Sequence, residues 1–119
     1  MYRMSLDELL KIHEDTCASG RETMKKKNHD YTNGSAGIFD NFKGSRFFGV
    51  HPAIGIMMRT TDKFKRIQTF VSQGKLTVEG EGVLDAIEDS INYLILIKGI
   101  IIEEQKNNKS TTVKEDSGC

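Results

Sequence analysis

The sequence lacks the features that mark membrane, secreted and general nucleic-acid-binding proteins. No run of apolar residues reaches the ~20 needed to span a bilayer, and the N-terminus MYRMSLDELL has no apolar signal-peptide core. Cys17 and Cys119 form no CxxC motif and no disulfide framework, which predicts a reducing cytoplasm. Because 17 basic and 17 acidic side chains leave a formal net charge of zero, the composition argues against a nucleic-acid binder.

Alternating segments and proline are also scarce. The chain has one proline, and no segment alternates polar and apolar residues as half-buried strands do. Its 119 residues suffice for one core but not for two. We therefore predict a single all-α domain over residues 1–104, a small helical bundle of three long helices and a short one. The polar residues 105–119 are predicted to be a disordered tail.

End signals and apolar spacing define the three long helices. Ser5 and Glu8 form a capping box before the first helix, which is predicted to run over about 6–28. The second is predicted over about 52–73, because a proline suits its first position and a glycine follows its end. The third is acidic and is predicted to end near Glu104.

The connection 30–49 is too rich in glycine to be helical throughout, although 36–42 can form a short helix. A loop of this length in a small domain is either disordered or functional. Four of the six phenylalanines argue against disorder. We expect all four to be buried: Phe39, Phe42, Phe47 and Phe48.

Glu81, Asp85 and Asp89 recur every four residues along the third helix, which places them on one stripe. Like charges at this spacing repel each other. Residues 79–89 hold five acids and no base. The stripe is either the solvated face of an amphipathic helix or a site for a hard cation with oxygen ligands, for which Mg²⁺ is the candidate.

The same helix is apolar almost all round from Tyr93 to Ile102, interrupted by Lys98 and Gly99. A helix of this kind needs covering on every side. In so small a chain this favours a partner subunit. We predict a bundle completed by oligomerisation, as a homodimer or a larger homo-oligomer.

The second helix carries four charged side chains on one face, in the segment RTTDKFKR: Arg59, Asp62, Lys63 and Arg66. They form either a solvated, self-paired surface or a phosphate clamp, because guanidinium groups match phosphate oxygens and a lysine adds a point charge. The opposite side is predicted to face the core, with apolar residues at helical spacing: Met57, Phe64, Ile67 and Val71.

The end of the first helix, KKKNHDYTNG, is a further candidate for ligand binding. Its three lysines, Lys25, Lys26 and Lys27, can bind phosphate, and Asp30 with Tyr31 can fix a base or a sugar. Lysines at the C-terminus of a helix are explained equally well by the helix dipole. This segment by itself therefore does not favour ligand binding over the helix-dipole explanation, and it points to a ligand only together with the other motifs.

The ordered combination KKKNHDYTNG, FDNF, RTTDKFKR and EGVLDAIEDSINYLIL resembles the nucleotide modification associated domain 1 family. These are small, often phage-encoded helical proteins that look like relatives of the MazG-type nucleoside triphosphate pyrophosphohydrolases. The resemblance spans roughly residues 8–100. Its motifs fall on Lys27, Asp30, Tyr31, Asn41, Phe42, Arg59, Asp62, Lys63, Arg66, Glu81, Asp85, Asp89 and Tyr93.

The resemblance implies an oligomeric all-α enzyme that cleaves a (deoxy)nucleoside triphosphate to monophosphate and pyrophosphate with Mg²⁺. Metal ligands would be Glu81, Asp85 and Asp89, and the catalytic residues Asp62, Lys63 and Asp89. Substrate-binding residues would be Lys27, Asp30, Tyr31, Asn41, Arg59 and Arg66.

The chain departs from the MazG pattern in its first helix. MazG-type enzymes hold metal with E-x-x-E and E-x-x-D pairs, whereas this helix has Glu14 but Cys17 where a second acid is needed. A protein that binds and sequesters a nucleotide or nucleotide signal without cleaving it is therefore an alternative. A purely structural helical oligomer is a third, and it leaves the acidic stripe unexplained.

Overall fold

The structure is a computed structural model that describes residues 1–32, 37–74 and 82–111, without the side chains of 30–32, 110 and 111. Its elements are α1 (Leu6–Thr32), a 3₁₀ helix (Asp40–Phe48), α2 (Pro52–Gln73) and α3 (Val83–Thr111). The described residues contain no strand, which confirms the all-α prediction of three long helices and a short one. No helix among them is long and apolar enough to cross a membrane.

The first helix begins where the capping box predicts. The backbone N–H of Glu8 donates to Ser5 Oγ at 3.1 Å, and the N–H of Ser5 donates to Glu8 Oε1 at 2.9 Å. The hydroxyl of Tyr2 donates to the same carboxylate, and this bond, followed by the Ser5 N–H, lowers the pKa of Glu8. Two of the unsatisfied groups at this helix end are thus paired. The helix continues to Thr32, four residues past the predicted end.

The second helix matches its predicted bounds and gains a cap from a histidine. The N–H of Ala53 donates to His51 Nδ1 at 2.9 Å, so the ring proton lies on Nε2, which contacts Glu104 Oε2 at 2.6 Å. Gly74 ends the helix with φ of +76°, a conformation that glycine adopts without strain. His51 therefore both caps α2 and ties its start to α3.

The connection before α2 differs from its prediction. The short helix starts at Asp40 and ends at Phe48, not at 36–42. Phe39 is buried and Phe42 is partly buried, but Phe47 is 87% and Phe48 80% exposed, so their predicted burial was wrong. The N–H of Phe42 donates to the carbonyl oxygen of Phe39 at 2.9 Å, and both side chains reach the core. The rings of Phe47 and Phe48, at the far end of the 3₁₀ helix, do not reach the core and pack edge to face on each other.

The third helix passes its predicted end by seven residues and reaches Thr111. Residues 105–111 therefore belong to a helix and not to a tail, while 112–119 lie outside the described residues. Low hydrophobicity in this segment excluded burial, but it did not exclude a solvated helical extension.

The core lies between α2, α3 and the residue that precedes the 3₁₀ helix. Its buried members are Phe39, Ala53, Ile56 and Ile100. Partly buried side chains pack around them: Phe42, Tyr93, Leu96 and Ile97.

The predicted core face of α2 was wrong at three of its four positions. Met57, Phe64 and Val71 are exposed, and Ile67 is partly buried. In contrast, Thr60 is buried and Lys63 is partly buried against α3. A row of charged residues marks the solvent-exposed face of a helix only when the neighbouring helix has no residue of opposite charge to pair with them. Here α3 supplies such a partner.

Two glycines allow close approaches to α3. At Gly20 of α1 an added Cβ would lie 2.7 Å from Asn92 Oδ1, and at Gly99 it would lie 2.8 Å from Phe39 Cζ. The amide nitrogen of Asn92 donates to the carbonyl oxygen of Gly20 at 3.1 Å. Gly20 lets α1 approach α3 closely, and Gly99 lets Phe39 approach α3 closely. These two contacts set the distance between the walls of the cleft described below.

Candidate functional site

A cleft of about 480 Å³ lies between α1, residues 38–42 and α3, with one residue of α2 at its wall. This volume is in the range of small-molecule sites. The helices that form it are separated by more than fifty residues in the sequence, so the cleft exists only in the folded chain.

Four cations line the cleft, three of them from α1. Arg21 and Lys25 are one helical turn apart, Lys27 also lines the cleft, and Arg59 comes from α2. Only one carboxylate among the described lining residues, Asp89, opposes them. The cleft therefore carries an excess of positive charge, which favours an anionic ligand such as a phosphorylated compound.

The rest of the wall is aromatic and aliphatic. Phe39, Phe42 and Tyr93 line it, together with Leu96. The guanidinium carbon of Arg59 lies 5.5 Å from the centre of the Phe42 ring, a cation–π distance. Rings held beside cations suit a ligand with a planar group at one end and negative charge at the other.

Two asparagines fix the walls of the cleft. Asn28 donates to the carbonyl oxygen of Ile38 at 3.3 Å, which ties α1 to the segment before the 3₁₀ helix. Asn92 ties α1 to α3 through Gly20. Because both side chains also line the cleft, they place amide groups next to any bound molecule.

Asp89 and Lys63 form an ion pair between α3 and α2. Lys63 Nζ lies 3.1 Å from Asp89 Oδ2, with 18% and 29% of the two side chains exposed. A pair this sheltered from solvent interacts more strongly than one on the open surface. The lysine compensates the one carboxylate that the described part of the cleft contains.

The structure brings some predicted site residues together and not others. Lys27, Arg59 and Asp89 line one cleft, and Lys63 contacts it through Asp89. Residues of the predicted set that do not line it are Asn41, Asp62, Arg66 and Asp85. Asp30, Tyr31 and Glu81 lie outside the side chains that the structure describes.

Of the three residues of the acidic stripe, the structure describes Asp85 and Asp89 but not Glu81. The carboxylate of Asp85 accepts from the N–H of Gly82 at 3.3 Å at the start of α3, while Asp89 pairs with Lys63. In the described residues no three His, Cys, Asp or Glu side chains lie close enough together to hold a metal ion. Mg²⁺ is often held by one or two carboxylates plus substrate phosphates, and Asp89 is the one carboxylate among the described residues that line the cleft.

Sequence reasoning missed Arg21 and Asn28 as lining residues. Their signal is the spacing of Arg21, Lys25 and Asn28, which places all three on one face of α1. That spacing was readable, but nothing in the sequence showed that this face meets α3.

No known protein family, curated protein or solved structure matches the chain. The resemblance to the nucleotide modification associated domain 1 family therefore stays a prediction based on four short motifs.

Proposed function

We propose that the cleft binds a (deoxy)nucleoside triphosphate and that the protein is a Mg²⁺-dependent pyrophosphohydrolase that releases the monophosphate and pyrophosphate. One observation carries the proposal: four cations and three aromatic rings line the same cleft, with Asp89 among them. Family resemblance supplies the reaction, and it suggests phage-type nucleotide metabolism.

In the proposed complex the phosphates lie against the cations of α1. Arg21 can bind phosphate oxygens through two parallel hydrogen bonds, while Lys25 and Lys27 add point charges. The base lies toward Phe42 and Tyr93, the two rings of the lining that are only partly buried. Arg59, beside the Phe42 ring, contacts both parts of the ligand.

Asp89 is the proposed metal ligand in the cleft, together with Asp85 and Glu81 of the acidic stripe. Bound Mg²⁺ would neutralise phosphate charge and lower the pKa of an attacking water. Lys63 positions Asp89 and balances its charge before ligand binds. Asp62 is exposed and lies outside the cleft lining, so the proposal gives it no catalytic role.

A second function, nucleotide sequestration without hydrolysis, is favoured by a specific observation. Asp89 is the only carboxylate among the described lining residues, and Lys63 already compensates it. Such a cleft can hold phosphates without a metal.

The proposed working unit is a homodimer or larger homo-oligomer. Twenty-two large hydrophobic side chains of the described residues are exposed, against five buried hydrophobic residues. A soluble monomer seldom exposes so much apolar surface in continuous patches.

The test is incubation of the protein with ribo- and deoxynucleoside triphosphates and Mg²⁺, with products separated by chromatography. Asp89→Asn should lower the rate at least 100-fold while helical circular dichroism stays near that of the wild type. Asp15→Asn is the matched control, because Asp15 also pairs with a lysine, at 2.9 Å, but on the exposed surface of α1. Retained activity in Asp89→Asn would contradict the metal assignment.

Calorimetric titration with the same nucleotides separates the two candidate functions. Binding without products would support sequestration. We expect Arg21→Met with Lys25→Met to weaken binding at least tenfold in either case. Absence of both binding and products would contradict the assignment of this cleft to nucleotides.

A further inference from the structure

Helix α3 packs on α2 through one regular seam. Ala86, Ser90, Tyr93, Ile97 and Ile100 follow one another at steps of four and three residues. Ala86, Ser90 and Ile100 are buried, and the other two pack on the core. This face of α3 is therefore fully used within the chain.

A second regular line of apolar side chains runs along α3 about a third of a turn away. We call it the outer stripe: Leu84, Ile87, Ile91, Leu94, Lys98 and Ile101, at steps of three and four residues. Leu84 is 69% exposed, Leu94 55% and Ile101 44%. Ile95 and Ile102, both exposed, widen the same face.

The outer stripe has the spacing of a helix-pairing surface, and the described residues leave most of it exposed: only Ile91 of its six residues is partly buried. Steps of three and four are those of the seam between two packed helices. Burying one exposed leucine or isoleucine fully is worth about 1.5–3 kcal/mol. Five of the six stripe positions are apolar, so leaving the whole line in water is costly.

The charges of α3 argue against a lipid surface as the cover. Between residues 82 and 102 the helix carries Asp85, Glu88 and Asp89 but only one base, Lys98. Helices that lie on membranes are rich in Lys and Arg. Residues 112–119 contain one valine among mostly polar residues, so their composition offers little apolar surface to match the stripe.

A second copy of the chain fits the outer stripe in both chemistry and area. In a two-fold pair a stripe meets its own copy, so an apolar line finds an apolar line. Six apolar side chains of this face are 38–69% exposed and offer on the order of 500 Å² of apolar surface per chain: Leu84, Ile87, Leu94, Ile95, Ile101 and Ile102. Two such faces together reach the roughly 1,000 Å² of total buried surface that a specific interface needs.

We propose that the outer stripe of α3 is the surface through which two copies of this chain associate. Lys98 lies within the stripe, and its long aliphatic stem lets the ammonium group reach the rim of the interface. The proposal deepens the homo-oligomer of the proposed function and does not depend on a nucleotide, because none of the six stripe residues lines the cleft, although the neighbouring Ile95 does.

The first experiment is the mass of the native protein by light scattering at micromolar concentration, without nucleotide. Wild type should have at least twice the 13.4 kDa of one chain. Leu94→Glu with Ile101→Glu should give 13.4 kDa with retained helical circular dichroism. Val71→Glu, a matched change at an exposed site of α2, should keep the wild-type mass. A monomeric wild type, an unchanged mass in the stripe variant, or equal dissociation in the control would overturn the proposal.

The second experiment uses wild-type protein and does not depend on the folding of a variant. Lysines are acetylated with an N-hydroxysuccinimide ester and quantified by mass spectrometry. Both Lys98 and Lys65 are exposed in the single chain, but association encloses the stem of Lys98 and shields its ammonium group from one side, so Lys98 should react several-fold more slowly than Lys65. Equal rates would mean that the stripe is open to solvent. A negative nucleotide panel would change neither result, so this proposal and the nucleotide assignment fail separately.

Discussion

Replacing Gly99 by alanine tests how closely α3 is fitted to Phe39. The new Cβ would lie 2.8 Å from Phe39 Cζ and 3.5 Å from Cε1, whereas ordinary contacts are 3.4–4 Å. The buried ring therefore has to move by about half an ångström or more, and overpacking of this kind costs roughly 1–3 kcal/mol. Alanine also gains about 1 kcal/mol over glycine in a helix interior. We expect a net loss of about 1 kcal/mol in the free energy of unfolding.

A double-mutant cycle with Phe39→Leu isolates the contact. The smaller side chain removes the ring atoms that the new methyl group meets, so in that background Gly99→Ala should stabilise by up to about 1 kcal/mol. Urea unfolding followed by circular dichroism at one fixed protein concentration gives both values. The reasoning is refuted if the alanine stabilises the wild type, or if its effect is the same in both backgrounds within about 0.5 kcal/mol.

Two further predictions concern the start of α2 and the end of the 3₁₀ helix. His51→Ala should lower the free energy of unfolding by about 1–2 kcal/mol, because α2 loses its cap and its link to Glu104. His51→Asn should recover part of this loss in thermal denaturation, since its oxygen can still cap the helix; no difference between the two variants would contradict the cap. Phe47→Ser with Phe48→Ser should change stability by less than about 0.5 kcal/mol, because both rings are exposed. A loss above about 2 kcal/mol in urea unfolding would show that the rings are covered in solution.

The helix starts were readable because their signals are local. Ser5 and Glu8 are three residues apart, and they make the predicted reciprocal hydrogen bonds. The proline and the glycine that bound α2 act on their own backbone dihedral angles. Such signals do not need the rest of the molecule. The cap supplied by His51 was not predicted, because histidine is not among the common capping residues.

The faces of the helices were harder to predict than their ends. On α2, Met57 and Phe64 were expected in the core and are exposed, while Lys63 packs toward α3. The apolar side of a helix can be predicted to face the core only when the opposite side faces water and the apolar side packs against one apolar neighbour. Here an acid on α3 accepts the lysine, and the apolar side has no cover within the described chain.

The sequence by itself determined the all-α class, the starts of α1 and α2, and the charged and acidic motifs, because each depends on residues within a few turns of one another. Only the tertiary structure decided which of these motifs share a cleft. Arg21, Phe39, Arg59 and Asp89 come together because Gly20 and Gly99 let other elements contact α3 closely. Periodicity fixes angles within a helix, but the distances between helices depend on which side chains leave room for contact.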